Sequence, residues 1–191
     1  RMSVQMLGYM PDNDPTVIGV LVDCSGVVPS LKGMKGAPSA ANTPLATLAA
    51  TCQGAATLYK LDASTRFFAG TPTKLYEAAT SVWTDVSRSV AYTTTSTQRW
   101  RFAQLGDVSL AANGSDTIQA SVSTGPFSCV AGAPIAAIVE TVGAFTFAFN
   151  TPTNPNGWQC AEINNYNNWS VSINIQAASG VLTSTPGPIT A

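Results

Sequence analysis

Along most of this chain, short apolar runs rich in β-branched and aromatic residues alternate with clusters of Gly, Pro, Asn and Asp. Such a pattern predicts short strands joined by tight turns. Strands are expected over Val17–Val22, Ala56–Lys60, Arg66–Ala69, Lys74–Ala78, Trp100–Gln104, Val108–Ala112, Thr117–Ser121, Ala136–Thr141, Phe145–Phe149 and Trp158–Ile163. Turns are expected at Asp62–Thr65, Gly70–Thr73, Asn113–Asp116 and Asn154–Gly157. One stretch, Pro44–Ala50 with Thr43 as its N-cap, tolerates a helix of barely two turns. The expected fold class is all-β.

The strands recur as a unit. Arg66–Thr71, Lys74–Ala78 and Trp83–Ser87 line up with Val108–Asn113, Asp116–Ala120 and Phe127–Ala131. These in turn match Phe145–Asn150, Gly157–Ala161 and Trp169–Val171. Trp83 and Phe127 are 44 residues apart, and Phe127 and Trp169 are 42 apart. A further apolar strand precedes each unit (Ala56–Lys60, Trp100–Gln104, Ala136–Thr141). Four strands in about 42 residues is the period of a β-propeller blade. The expectation is antiparallel four-stranded blades forming a partial β-propeller, the closing aromatic of each unit filling the gap to its neighbour. A β-sandwich of similar strand spacing is the alternative. Residues 1–50 read as an N-terminal extended segment and loop, and 51–191 as about three blades. Because a propeller needs at least four blades and Arg1 precedes Met2, the chain is expected to be part of a longer one.

Composition narrows the function classes. Lys and Arg number 9, Asp and Glu 10, and there is no His, so the net charge is −1. That balance argues against grip on nucleic acid through phosphate neutralisation. Without His, every Ser-His or Cys-His catalytic arrangement is absent, as is the commonest metal ligand. Ser and Thr occupy 41 positions, replacing the missing surface charge with hydroxyls. The cysteines Cys24, Cys52, Cys129 and Cys160 contain no Cys-x-x-Cys pair, and they read as small buried apolar residues, with two disulfides as the alternative, rather than a zinc set. The most apolar stretch, Ala131–Asn150, carries Glu140, Pro134 and two glycines, so it does not read as a membrane helix. No cofactor or metal is expected.

Few residues offer site chemistry. Arg99 and Arg101 are the densest basic spot and are the candidates for contact with DNA or a partner. In a strand they share one face while Trp100 takes the other, which is also ordinary for a half-buried strand. Tyr166 and Trp169, in the loop Asn164–Trp169, are the candidates for a glycan platform; the plain reading is a loop packed by its own aromatics. Asp12 and Asp14 lack the later Gly and Glu of an EF-hand and read as a turn. Lys32 and Lys35 with Gly33 and Gly36 do not form a P-loop. Asp85, Asp107, Asp116, Glu140 and Glu162 could supply a glycosidase-like pair only at separations that sequence cannot fix. No catalytic residue is assigned and no enzyme activity is expected.

One resemblance adds to this. The runs Val28–Ser39, Leu61–Tyr76, Trp83–Ser87, Arg99–Val108 and Ala137–Gly143 resemble a family of tailed-bacteriophage virion proteins of the tail-hub, nozzle or packaged-DNA-stabilisation type. The likeness extends from about Pro11 to Ala191. It implies a structural protein of the tail or head–tail connection: a propeller-containing homo-oligomer, in a ring around the DNA conduit. Its partners would be other tail or connector proteins, with DNA passing transiently and without specific binding. Its place would be the virion, after assembly in the host cytoplasm. A conduit wall poor in Lys and Arg agrees, since clustered cations would hold the DNA. The alternative is a glycan-binding adhesin or virion surface module using Tyr166 and Trp169.

Overall fold

A computed structural model describes residues 8–14, 16–21, 25–30, 33–39, 44–184 and 187–190. The chain divides into two units, Arg1–Thr43 and Pro44–Ala191. In the first, β1 (Gly8–Tyr9) runs parallel to β2 (Val20–Leu21), and β3 (Val27–Ser30) forms an antiparallel hairpin with β4 (Gly33–Gly36). Of the strand expected over Val17–Val22, only Val20–Leu21 is paired, and Val22 lies outside the described residues, as does Lys32. The β3–β4 hairpin lies where no strand was expected. Pro29 breaks the β-branched run there, and Gly33 and Gly36 carry no pattern to read.

The second unit contains three four-stranded antiparallel meanders in chain order. The first sheet is β5 (Gly54–Tyr59), β6 (Thr65–Gly70), β7 (Leu75–Ala78) and β8 (Trp83–Asp85). The second is β9 (Arg101–Leu105), β10 (Val108–Ala112), β11 (Gln119–Val122) and β12 (Ser128–Cys129). The third is β13 (Ile138–Val142), β14 (Phe145–Phe149), β15 (Gly157–Cys160) and β16 (Ala178–Val181). No helix occurs among the described residues. Two-residue turns join β9 to β10 and β13 to β14. Their first residues, Gly106 and Gly143, have φ of 58° and 60°, a region open to glycine.

Pleating gives each sheet two faces, and the sheets stack front to back. The front of the first sheet presents Leu58, Phe68 and Leu75, which cluster with Trp100, Ala111 and Phe127 of the second unit of the repeat. The front of the second presents Ala103, Leu110, Ala112 and Ala120, which cluster with Val139, Ala148, Ala161 and Trp169. Leu110 and Ala111, adjacent on β10, therefore belong to different cores, and both are fully buried. The sheets approach one another through their first strands, β5 to β9 and β9 to β13. Three sheets in series, closest at their first strands, are consistent with the blades of a partial propeller.

The closing aromatics fill the gaps between sheets in two of the three units. Phe127 packs between the first and second sheets, 1% exposed, and Trp169 between the second and third, 2% exposed. Trp83 instead packs on Phe67, with ring centroids 5.6 Å apart, on the back of the first sheet. The third unit departs from expectation at its end: its fourth strand is Ala178–Val181, not Trp169–Val171. Trp169 is drawn into the core by its apolar area, and its indole N–H donates to the Tyr166 carbonyl at 2.7 Å. The helix tolerated by Pro44–Ala50 does not form. The Ala46 N–H donates to the Ser81 carbonyl at 3.0 Å, and the Ala46 carbonyl accepts from the Trp83 indole at 2.8 Å, so tertiary pairing takes the backbone groups a helix would use.

Candidate functional site

Arg99 and Arg101 flank Trp100 at the start of β9, and the two faces of the strand separate them as the period predicts. Trp100 turns toward the first sheet, 3% exposed, with its indole N–H on the Thr71 carbonyl at 2.9 Å. The ring fits because positions 54 and 70 are glycine; a Cβ at either would overlap Trp100. Arg99 and Arg101 are exposed and line a cleft of about 340 Å³ between the second and third sheets. Gln98, Asn113, Ile138 and Asn150 line it too.

Most polar groups of this cleft are already engaged. Arg99 Nη1 donates to the carbonyls of Ser96 and Gln98, both at 2.8 Å. The Asn113 side-chain oxygen accepts from the N–H groups of Ser115 and Asp116, and Asn150 donates to the Ile189 carbonyl. The Arg101 side chain has no hydrogen bond or ion pair among the described residues, while its backbone pairs with Ala112. The lining residues include no carboxylate or thiol. The cleft can therefore hold an anion through Arg101 and the remaining guanidinium hydrogens of Arg99, but its lining offers no carboxylate or thiol for acid–base or nucleophilic chemistry.

The other candidates are placed differently. Trp169 is in the core and Tyr166 is half-buried beside it, so the loop is packed by its own aromatics, as the plain reading has it, and the pair forms no exposed platform. The apolar area of the indole is better buried than left in water. Glu162 accepts from the side chains of Asn165 and Asn168 and organises that loop. Asp85 pairs with Lys74, Asp107 accepts the Leu61 N–H, and Glu140 is exposed on β13. Asp14 accepts the Thr16 N–H and hydroxyl, closing a turn; Pro15 lies outside the described residues.

Two charged clusters escaped the sequence reading. Arg66, 4% exposed, reaches both Glu77 oxygens at 2.6 and 2.8 Å, the Ser121 hydroxyl at 2.8 Å, and the face of Phe68 at 4.6 Å. It ties the first sheet to the second. Arg88 donates to Asp116 at 2.5 Å and to Cys129 Sγ at 3.1 Å. Burial works against the Cys129 thiolate, but hydrogen bonds from Gln119 and Arg88 outweigh it and hold the thiol below its ordinary range. Cys52 and Cys129 are exposed free thiols and Cys160 is buried, so the expectation of buried cysteines holds for Cys160 alone of these three. Cys24 lies outside the described residues. Arg88 and Asp116 are 28 positions apart, and no motif marks them in the sequence.

Among the described residues, no helix is long and apolar enough to cross a membrane. The chain matches no protein-family model, and no curated protein is significantly similar to it.

Proposed function

We propose that this chain is a structural protein of a bacteriophage virion, in the tail or the head–tail connection, and works as part of an oligomeric ring around the DNA conduit. The observation that carries the reading is the serial stack of four-stranded sheets, whose outermost faces are apolar and aromatic. A surface of that kind is made to be covered by another sheet. The residues that carry the resemblance to phage virion proteins support the same reading, because most of them fall on these sheets: Leu61–Tyr76 on β6 and β7, Arg99–Val108 on β9, Ala137–Gly143 on β13.

Charge supports the conduit role. With a net charge of −1, the protein has few cations with which to neutralise phosphates. Two of them, Arg66 and Arg88, are consumed by ion pairs with Glu77 and Asp116. A wall of this composition lets DNA slide past. The expected outcome in a titration with duplex DNA is weak binding that changes little with salt concentration. Tight binding that weakens steeply with salt would contradict the conduit reading, because it reports released counterions. Fractionation of purified virions provides the direct check. The chain should be present at a fixed ratio to other tail proteins; its absence from particles would sink the proposal.

A further inference from the structure

Cys129 on β12 is the register partner of Gln119 on β11, so their side chains share one face of the second sheet, the face of Ala111 that packs toward the first. The thiol is exposed, and it borders an open recess of about 460 Å³ with Arg88, Val90, Pro126 and Ser128 among its lining. Two donors converge on the sulfur. Arg88 Nη1 stands 3.1 Å from Sγ, and Gln119 Nε2 stands 3.4 Å from it. Other contacts fix the guanidinium in that position. Its Nε donates to the Val90 carbonyl at 2.9 Å, its Nη2 to the Ala91 carbonyl at 3.3 Å and to Asp116, and its central carbon lies 4.7 Å from the centre of the Tyr92 ring. A cation held this way favours an anionic sulfur.

The Gln119 amide adds an independent feature. It is fully buried, and its orientation is set because Nε2 also donates to the Thr117 carbonyl at 2.5 Å. Its Oε1 is buried with no hydrogen-bond partner among the described residues, although nearly every buried polar atom of a folded protein has one. The amide that reaches the sulfur therefore brings an unpaired acceptor with it. A thiolate has no hydrogen to give that acceptor, whereas a hydroxyl carried on the sulfur has one.

We propose that Cys129 is a redox modification site, at which a small hydroperoxide entering the recess oxidises the thiol to a sulfenic acid whose hydroxyl donates to Gln119 Oε1. The thiolate sulfur attacks the terminal oxygen of the HO–OR bond. The S–O bond forms as the O–O bond breaks, and RO⁻ leaves with the bonding pair and takes a proton from water. Sulfur is oxidised by two electrons and the peroxide is reduced by two. Arg88 holds the sulfur as the anion, the form that reacts. No second cysteine lines the recess, so the product is not consumed by a neighbouring thiol. An external thiol returns it to Cys129 through a mixed disulfide. Cys52, the other exposed thiol of the described residues, has the Gly54 carbonyl at 3.4 Å as its hydrogen-bond partner and no cation.

Competition between these two thiols in one chain tests the proposal. The protein carrying Cys24→Ser receives substoichiometric hydrogen peroxide at neutral pH with dimedone, which traps sulfenic acids, and peptide mass spectrometry reads each cysteine. The expected result is a dimedone adduct on Cys129 several-fold above that on Cys52. Equal adducts, an excess on Cys52, or passage of Cys129 to the sulfinic acid without an adduct overturns it. Arg88→Ala, shown to be folded by circular dichroism, should lower the Cys129 adduct several-fold and leave Cys52 unchanged; an unaltered Cys129 adduct overturns the site. Dimedone added after a delay reads the lifetime of the sulfenic acid, which a folded Gln119→Leu should shorten several-fold, and an unchanged lifetime overturns the hydrogen bond to Oε1. Should either variant fail to fold, the competition in the parent chain decides.

Discussion

At the residue scale, a few buried polar and small side chains set what the sheets tolerate. Arg66 is the clearest. With Glu77, Ser121 and the Phe68 ring arranged about its guanidinium, its removal leaves a carboxylate only partly open to water. Arg66→Ala is expected to cost about 3 kcal/mol in urea unfolding, whereas replacing Arg66 and Glu77 together by Met and Leu should cost much less. Gly70→Ala should cost about 1–3 kcal/mol and disturb the near-UV signal of Trp100, because the added methyl meets the indole. Asp116 gives a pH dependence. Burial opposes its charge, but hydrogen bonds from Asn113, the Thr93 N–H and Arg88 prevail, so its folded carboxyl titrates below the ordinary range. Its contribution is complete above the unfolded value of about 3.9 and is lost as the pH falls through the lower folded value. Asp116→Asn should therefore flatten the acid limb of a stability–pH curve while lowering stability near neutrality. The Cys129 thiol should be alkylated at a lower pH than an ordinary thiol, and Arg88→Ala should remove that advantage.

At the scale of elements, the sequence was readable where a strand buries one face and obscure where tertiary packing chose. β10 alternates between two cores while β6 and β14 each bury one face in a single core, and period-two patterning with Gly or Asn at the turns placed all three within a residue or two. The aromatic period located Phe127 and Trp169 as fillers between sheets, which is a consequence of repeated geometry rather than local propensity. It misplaced the last strand because the stretch Ser170–Ala177, which alternates polar and apolar residues without pairing as a strand, separates Trp169 from Ala178, and Ala-Ser-Gly-Val carries no strand signal of its own. Among the site candidates, the split of Arg99 and Arg101 from Trp100 was legible from alternation alone. The inward turn of Trp169, and the Arg66 and Arg88 clusters, depend on partners tens of residues away and were not. Trp169→Ala is expected to destabilise the second unit by about 3–5 kcal/mol in chemical denaturation, since it empties a gap closed by Leu110, Ala148 and Ala161. A loss below about 1 kcal/mol would mean that the ring is not a core element.

At the scale of the molecule, charges are few and hydroxyls many, and exposed apolar side chains lie on loops such as those of Leu61 and Ile173 as well as on sheet faces at Tyr59 and Val142. An incompletely covered aromatic face such as that of Phe145, Phe147 and Phe149 invites association. Native mass spectrometry of the unmodified chain tests this most directly. A discrete oligomer, persisting on dilution to low micromolar concentration, is the predicted result. A single copy at every concentration would contradict the account, because an oligomeric ring requires copies that associate.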